Sequence, residues 1–278
     1  MNISHLKDIV ACPRCKNPLV EKGHKLSCGK CKAAYRLAKG IPVFLKDIHF
    51  DEDSAEESFG GRLRYRRFFR IFSPPNTTYS IEKKVLKRLV NPDKLTLNIG
   101  SSSKKIYPNT VNLDIGPFPN VDIVGDGKHL PFKDRSFDLV LIESVLEHID
   151  EPEKVISESF RVLRKGGKAY ISIPFVFAFH GSPDDFGRFT LNGLGRRMEL
   201  AGFRIKESGV LSGPASTFSQ ASRYFLATLF SFNSSFLYSL MLNIFGWLTF
   251  PVKYLDILLN HSKKAHVLGS IIYAVGEK

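Results

Sequence analysis

The chain has 278 residues, enough for one substantial core and a small accessory module. Its 43% hydrophobic and 24% charged content excludes global disorder. The 40 basic residues against 27 acidic ones give a formal charge of +13, which favours an anionic partner (nucleic acid, anionic lipid or a phosphorylated substrate) beside the plainer reading of a solubilising basic surface.

The opening "MNISHLKDIVACPRC" lacks the charged start and apolar core of a secretory leader, so a cytosolic or cytosol-facing protein is expected. All four cysteines follow in two knuckles, "CPRC" (Cys12, Cys15) and "CGKC" (Cys28, Cys31). Two C-x-x-C pairs separated by twelve residues place four thiolates around one tetrahedral zinc ion. Two disulfides would require an oxidising compartment that nothing here indicates. Pro13 and Gly29 suit the knuckle turns, while Lys16, Lys30 and Lys32 offset the thiolate charge. Four protein ligands leave no open position, so the zinc is expected to be structural. The stretch from "ACPRC" to "KGIPVFL" resembles the short zinc-ribbon modules that accompany methyltransferases, some of which act on ribosomal RNA. Residues 1–46 are therefore expected to form a zinc ribbon with a core of its own.

Residues 47–92 read as a linker and helical cap. The acidic "DIHFDEDSAEESFGG" (47–61) fits a linker. In "RLRYRRFFRIF" five arginines (Arg62, Arg64, Arg66, Arg67, Arg70) interleave with aromatics, suited to phosphates, bases or lipid headgroups, or else to an amphipathic helix docked on the main domain. In "SIEKKVLKRLV" (80–90) Ile81, Val85, Leu86 and Leu89 share a helix face.

From residue 93 onward apolar runs alternate with polar helical stretches, as in a Rossmann-like α/β sheet with helices on both faces. Strands are expected at 95–99, 111–114, 121–124, 137–142, 168–173, 203–210 and 268–275, mostly parallel with an antiparallel ending. "VNLDIG" ends a strand on Asp114, where a carboxylate can accept from both hydroxyls of a ribose. "VGDGKHLPF" sets Asp126 in a loop that could meet an adenine amino group, and "FDLVLIES" carries a buried strand to Glu143.

The order "LNIG … LDI … GDGKHLPF … FDLVLIESVLEHI … LRKGG" resembles the class I S-adenosylmethionine-dependent methyltransferases, within them the large group (type 11) sharing an "LPF…SFD…LEH" run. The resemblance covers about residues 95–210 and the final strand. It implies that Gly100 turns beside the methionine portion, Asp114 holds the ribose, and Asp126 with Gly127 lies near the adenine. The full cofactor set expected is Asn98, Gly100, Ser101, Ser102, Asp114, Ile115, Asp126, Gly127 and Glu143.

The turn "GSSSKK" is unusual, because Ser101–Ser103 stand where further glycines are usual and the space before Val111 is too short for a full crossover helix. Lys104 and Lys105 are placed to supply compensating charge, so an altered but working pocket is expected. For the chemistry, "IPFVFAFHGSPDDFGRFT" (173–190) sets His180, Asp184, Asp185 and Arg188 near the transferable methyl, with His180 as base, Asp185 to orient it and Arg188 as an anion clamp. This segment resembles an "H-x-x-P-x-D-F-x-R-F-T" pattern of methyltransferases in surface-sugar pathways. In the competing reading, Asp185 and Arg188 merely brace the loop and "FT" starts a helix. His148 in "LEHI" is a second base candidate, and Glu143 and Glu147 share the ambiguity.

Within the insertion expected at 212–266, residues 224–252 carry no charge. The stretch exceeds the roughly 20 residues of a bilayer crossing, but "FNSS" interrupts it and "GSIIYAV" must return to the same sheet. A hairpin dipping into one leaflet, an interfacial helix pair, or a buried lid over the active site remain. The expectation is an S-adenosylmethionine-dependent methyltransferase acting on a hydroxyl of a glycan or lipid-linked precursor, peripheral on the cytoplasmic face of a membrane. An RNA methyltransferase and a non-catalytic binding partner are the alternatives.

Overall fold

The computed structural model of the chain describes residues 6–45, 73–74, 81–102, 109–181 and 184–278. The acidic stretch 47–61, the arginine cluster of 62–72 and residues 103–108, with Ser103, Lys104 and Lys105, lie outside the described residues.

Alternating short polar and apolar residues build a four-stranded antiparallel ribbon: β1 (Leu19–Lys22), β2 (Lys25–Cys28), β3 (Ala34–Ala38) and β4 (Ile41–Val43). Helix α1 (Glu82–Leu89) follows, then β5 (Thr96–Ile99), β6 (Thr110–Asp114), β7 (Ile123–Val124) and β8 (Phe137–Glu143). Next come α2 (Pro152–Val162), β9 (Leu163–Pro174), α3 (Leu191–Leu200) and β10 (Arg204–Ser212). The chain closes with α4 (Pro214–Leu229), α5 (Ser235–Thr249), α6 (Asp256–Leu259) and β11 (Ile271–Glu277). The expected strands and the α1 helix are all present, although the strand expected at 121–124 is confined to its last two residues.

The sheet order is β1-β2-β3-β4-β7-β6-β5-β8-β9-β11-β10. Strands β4 to β9 of the main sheet run parallel, and β11 inserts antiparallel between β9 and β10. Continuous apolar runs such as "LVLI" in β8 fit strands buried on both faces. The order reverses between β5 and β8, the point at which open α/β sheets bind ligands outside their carboxyl ends. Helix α1 covers one face, with Val85 and Leu86 against Tyr170 and Tyr273. Helix α2 sits with its Val155, Ile156 and Val162 in the main core.

The ribbon does not have the separate core expected of it. Leu6, Val10, Leu26 and Phe44 join the same apolar cluster as Leu97, Ile142 and Ile171. Val43 pairs with Val124, and the Phe44 amide donates to the Val124 carbonyl at 2.8 Å, so the ribbon extends the main sheet. Lys16 ties the two further, donating to Glu158 at 2.8 Å and to the Leu130 carbonyl at 3.0 Å. The reason is geometric: β4 runs along the exposed edge of β7, whose backbone groups need partners.

The apolar insertion is a helical hairpin, and it is not a buried lid. Helices α4 and α5 pack side by side, with the Ser219 hydroxyl donating to Thr249 Oγ1 at 2.9 Å. Phe232 and Asn233 turn the chain with φ of 46° and 59°. Phe225, Phe232 and Leu248 expose 67%, 80% and 69% of their surface. The stretch Ser235–Leu259 is long and apolar enough to cross a membrane, and only 6% of its most apolar window is buried. Its base is fixed by the fully buried Asp256, whose carboxylate accepts from the amides of Gly213 (3.1 Å), Ala215 (2.9 Å) and Ser216 (3.0 Å) at the start of α4. A Cβ at Gly213 would stand 2.0 Å from Asn260 Oδ1 and 2.5 Å from Asp256 Oδ1, so any side chain there would push both aside.

Candidate functional site

The four cysteine sulfurs converge. Cys12 and Cys31 lie 3.5 Å apart, Cys15 and Cys28 3.4 Å apart, and all four within 4.8 Å of one another, none disulfide-bonded. A tetrahedron of zinc–sulfur bonds of about 2.3 Å has edges of about 3.8 Å, so this donor set fits the ion. Each knuckle closes on a lysine in the left-handed region, Lys16 at φ 58° and Lys32 at φ 59°. Backbone amide donation, led by that of Cys31, brings the Cys28 thiol down to about 6, so a thiolate is accessible near neutrality.

The second site lies along the carboxyl ends of β5 to β9. At the switch point Gly100 has φ of 70°, and a Cβ there would stand 2.3 Å from Val145 Cγ2. Glycine is thus required by the close approach of the β8 turn. Asp114, at the tip of β6, is buried; its Oδ2 accepts from the Ser102 amide at 2.8 Å and its Oδ1 from the Gly116 amide at 3.0 Å. Burial pushes its carboxyl up, although three amides oppose the shift. One hydrogen bond per oxygen leaves lone pairs for two hydroxyls, and the exposed Ile115 beside it supplies an apolar surface. Asp126 caps a 3-10 turn over Gly127–His129 by accepting from the Lys128 amide at 2.8 Å. A cavity of about 800 Å³ between ribbon and main domain is lined by Asp126, His129, Arg14, Arg36 and Phe44. Ser101 is buried beside Gly100, and Glu143 ends β8 half-buried. Asn98 is drawn into the sheet, donating to Asn112 Oδ1 at 3.1 Å.

The candidate chemical residues gather beyond β8 and β9. Glu147 and His148 lie on the 3-10 turn Leu146–His148, and His180 on the loop after β9. The two imidazoles meet edge to face with ring centroids 5.1 Å apart. His180 Nε2 is 3.7 Å and His148 Nε2 3.9 Å from Glu147 Oε1. The Glu147 carboxylate holds the His180 imidazole above its ordinary value, against the effect of burial. Asp185 Oδ2 accepts from the His180 amide at 2.9 Å and from Arg188 Nη2 at 2.7 Å, while Oδ1 pairs with Arg188 Nη1. Arg188 brings the Asp185 carboxyl down to about 2. These contacts match the bracing reading of the loop: Asp185 pairs with Arg188 and holds the His180 backbone, and Thr190 caps α3 by accepting from the Gly193 amide at 3.0 Å. Arg188 is already committed to Asp185, which limits it as a clamp for a substrate anion. Neither the deep burial of Glu147 between the two histidines nor the role of Asp256 was legible locally.

A methyltransferase domain family matches residues 100–171, and a Trm112p-like protein family matches residues 5–40. Among curated relatives, an uncharacterized protein of Methanocaldococcus jannaschii is 51% identical over 51 residues, 18% of this chain and 25% of that protein. A demethylmenaquinone methyltransferase of Renibacterium salmoninarum is 44% identical over 55 residues, 19% of this chain and 23% of that protein. The chain thus spans about a quarter of the length of these relatives. Among solved structures, phosphoethanolamine N-methyltransferase 2 of Haemonchus contortus with S-adenosyl-L-methionine aligns at TM-score 0.48 and 16% identity, over 78% of this chain and 60% of that one. A chain from the complex of the Haloferax volcanii Trm112 activator with a methyltransferase aligns at TM-score 0.46 and 16% identity, over 81% of this chain and 94% of that one. The chain carries a methyltransferase domain, with a Trm112p-like ribbon built onto the edge of its sheet.

Proposed function

We propose that the protein is an S-adenosylmethionine-dependent methyltransferase whose acceptor, a glycan or lipid-linked precursor, is presented at the cytoplasmic face of a membrane. One observation carries the membrane assignment: an exposed apolar hairpin rises from the edge that holds the cofactor residues. Strand β10 ends at Ser212 and β11 begins at Ile271, and these pair with each other and, through Ile271, with Pro174 at the carboxyl end of β9. Both feet of the hairpin therefore stand at the edge that carries Gly100, Asp114 and Glu143. With both feet in one sheet, the hairpin enters one leaflet or lies on it and cannot cross. Lys263 and Lys264, exposed just after α6, suit anionic headgroups.

In this reading Asp114 holds the ribose, Asp126 and Gly127 flank the adenine, and Gly100, Ser101 and Ser102 border the methionine end. The bound cofactor supplies an electrophilic sulfonium methyl. His180, Asp185 and Arg188, tied together by the Asp185 bonds, border the acceptor and restrict water. A second reading, methylation of RNA, draws on the +13 formal charge and the Trm112p-like ribbon. Methyl incorporation from labelled cofactor into membrane-lipid, glycan and RNA fractions tests both. Label confined to RNA would overturn the membrane reading, and a folded protein that binds no cofactor would overturn both.

A further inference from the structure

Glu147 is 0% exposed, and among the described residues neither of its carboxylate oxygens has a hydrogen-bond partner. Leaving a carboxylate in that state costs several kcal/mol unless a cation shares the site. Two imidazoles face it, His148 from the same turn and His180 from the loop after β9. Each has its Nδ1 against a backbone carbonyl, His148 on Asp184 and His180 on Ala178 at 3.2 Å. Protonation at Nδ1 leaves both Nε2 lone pairs directed towards Glu147. This is the outer-sphere arrangement that fixes the tautomer of a metal-ligating histidine.

A hydrogen-bonded Glu–His pair is the competing account. Arg188 Nη2 stands 3.3 Å from His180 Nδ1, and a bond there would move the imidazole proton to Nε2. That proton would then have to bridge 3.7 Å to Glu147 Oε1, with 3.9 Å for His148. Both gaps exceed hydrogen-bond range. They do match two ligands across one ion, since bonds of about 2.0–2.2 Å opened to tetrahedral or wider angles put donor atoms roughly 3.4–3.9 Å apart. All three ligand atoms lie within 4.8 Å of one another.

We propose that Glu147, His148 and His180 hold a divalent transition-metal ion, zinc foremost, beside the cofactor edge and separate from the ribbon's zinc. Two imidazole nitrogens and one carboxylate select such an ion over magnesium or calcium. A three-residue set leaves a coordination position open, as catalytic zinc sites do. Both histidines are partly exposed while Glu147 forms the floor, so the open position faces outward. It takes an oxygen of the acceptor, a hydroxyl or carboxylate; this last step rests on the methyltransferase reading, whereas the ion site does not.

The test is metal content of the purified full chain after equilibrium dialysis against zinc, with S-adenosylmethionine calorimetry on the same samples. Wild type should hold two zinc ions per chain, and the His148→Ala/His180→Ala double variant one. Glu147→Gln, which keeps shape and removes charge, should weaken the second site at least tenfold. Cobalt titration separates the sites without relying on a fragile variant. The ribbon gives intense thiolate charge-transfer absorption, whereas the second equivalent should add visible bands alone, absent from the histidine variant. One zinc per wild-type chain, or a second equivalent that survives loss of both histidines, would overturn the proposal. Cofactor binding with a single zinc removes only the metal site. Two zinc ions without cofactor binding would uphold the site and remove the methyltransferase reading.

Discussion

Replacing Phe225 and Phe232 by aspartate should release the protein from anionic vesicles while leaving its fold and cofactor affinity intact. The two rings expose 67% and 80% of their surface, so neither contributes much to the core. Full transfer of such a side chain from water is worth about 1.5–3 kcal/mol. Scaled to the exposed fractions, the pair contributes about 2–4 kcal/mol to partitioning, roughly 30- to 1000-fold in the binding constant. The introduced carboxylates add repulsion from anionic lipid, so this range is a floor. Flotation with vesicles of mixed anionic and neutral lipid reads the partition directly, and calorimetry with S-adenosylmethionine controls for folding. Wild type that fails to float, or a double variant that floats equally well, would refute the reasoning. A hairpin that covers a soluble acceptor would instead lose turnover in the double variant, with no vesicle binding even by the wild type.

Asp114→Ala should weaken S-adenosylmethionine binding by about 1.5–3 kcal/mol, tenfold or more, because it removes a charged acceptor; calorimetry measures this. Cys28→Ser, or chelation of the ribbon zinc, should lower the melting temperature of the whole chain in a single transition, since Leu26 and Phe44 belong to the main core; separate calorimetric transitions would contradict the shared core. Asp256→Ala leaves three buried amides without their acceptor and should cost about 2–4 kcal/mol, seen as faster hydrogen exchange at the start of α4. Burial would raise the Glu158 carboxyl, but hydrogen bonds from Arg161 and Lys16 hold it below its ordinary 4.5. Its stabilisation is therefore complete above 4.5 and is lost as the pH falls through the depressed value. Glu158→Gln should flatten that part of the acid limb in a pH-dependent melting series.

What the sequence showed directly were features set by local chemistry. Continuous apolar runs ending at Ile99, Asp114 and Glu143 marked buried parallel strands, and the cysteine spacing marked the metal knuckles. "FNSS" marked the hairpin turn because polar residues capable of positive φ interrupt an apolar helix, and Ser234 caps α5. Other features depend on contacts between distant residues. The ribbon joins the sheet through a three-residue strand containing Pro42, whose pairing with β7 rests on the single register Val43↔Val124. Glu147 stands in "LEHI" as one of several ambiguous candidates; its burial comes from the segment after β9, which folds back with the Phe186 amide on the Glu147 carbonyl at 2.7 Å. Whether the hairpin was lid or surface also depended on how far α4 and α5 stand from the sheet.

Under the membrane-surface proposal, the distribution of exposed apolar residues along the hairpin constrains how it would meet a bilayer. Helix α5 has 15 residues, about 22 Å at 1.5 Å per residue, longer than the roughly 15 Å of hydrocarbon in one leaflet. An upright hairpin would therefore pass the midplane, where the exposed polar Asn233 would be taken out of water. The apolar surface is not concentrated at that turn: Trp247, Leu248, Leu255 and Leu258 continue it to the base of α6. Lys263 and Lys264 follow directly. A strip that is apolar from tip to base and flanked by lysines suits a hairpin lying along the interface. In that posture the hairpin's feet, at the carboxyl edge of the sheet, would bring that edge towards the headgroup layer. An acceptor carried on a lipid, as proposed, would then reach it by lateral diffusion without leaving the bilayer.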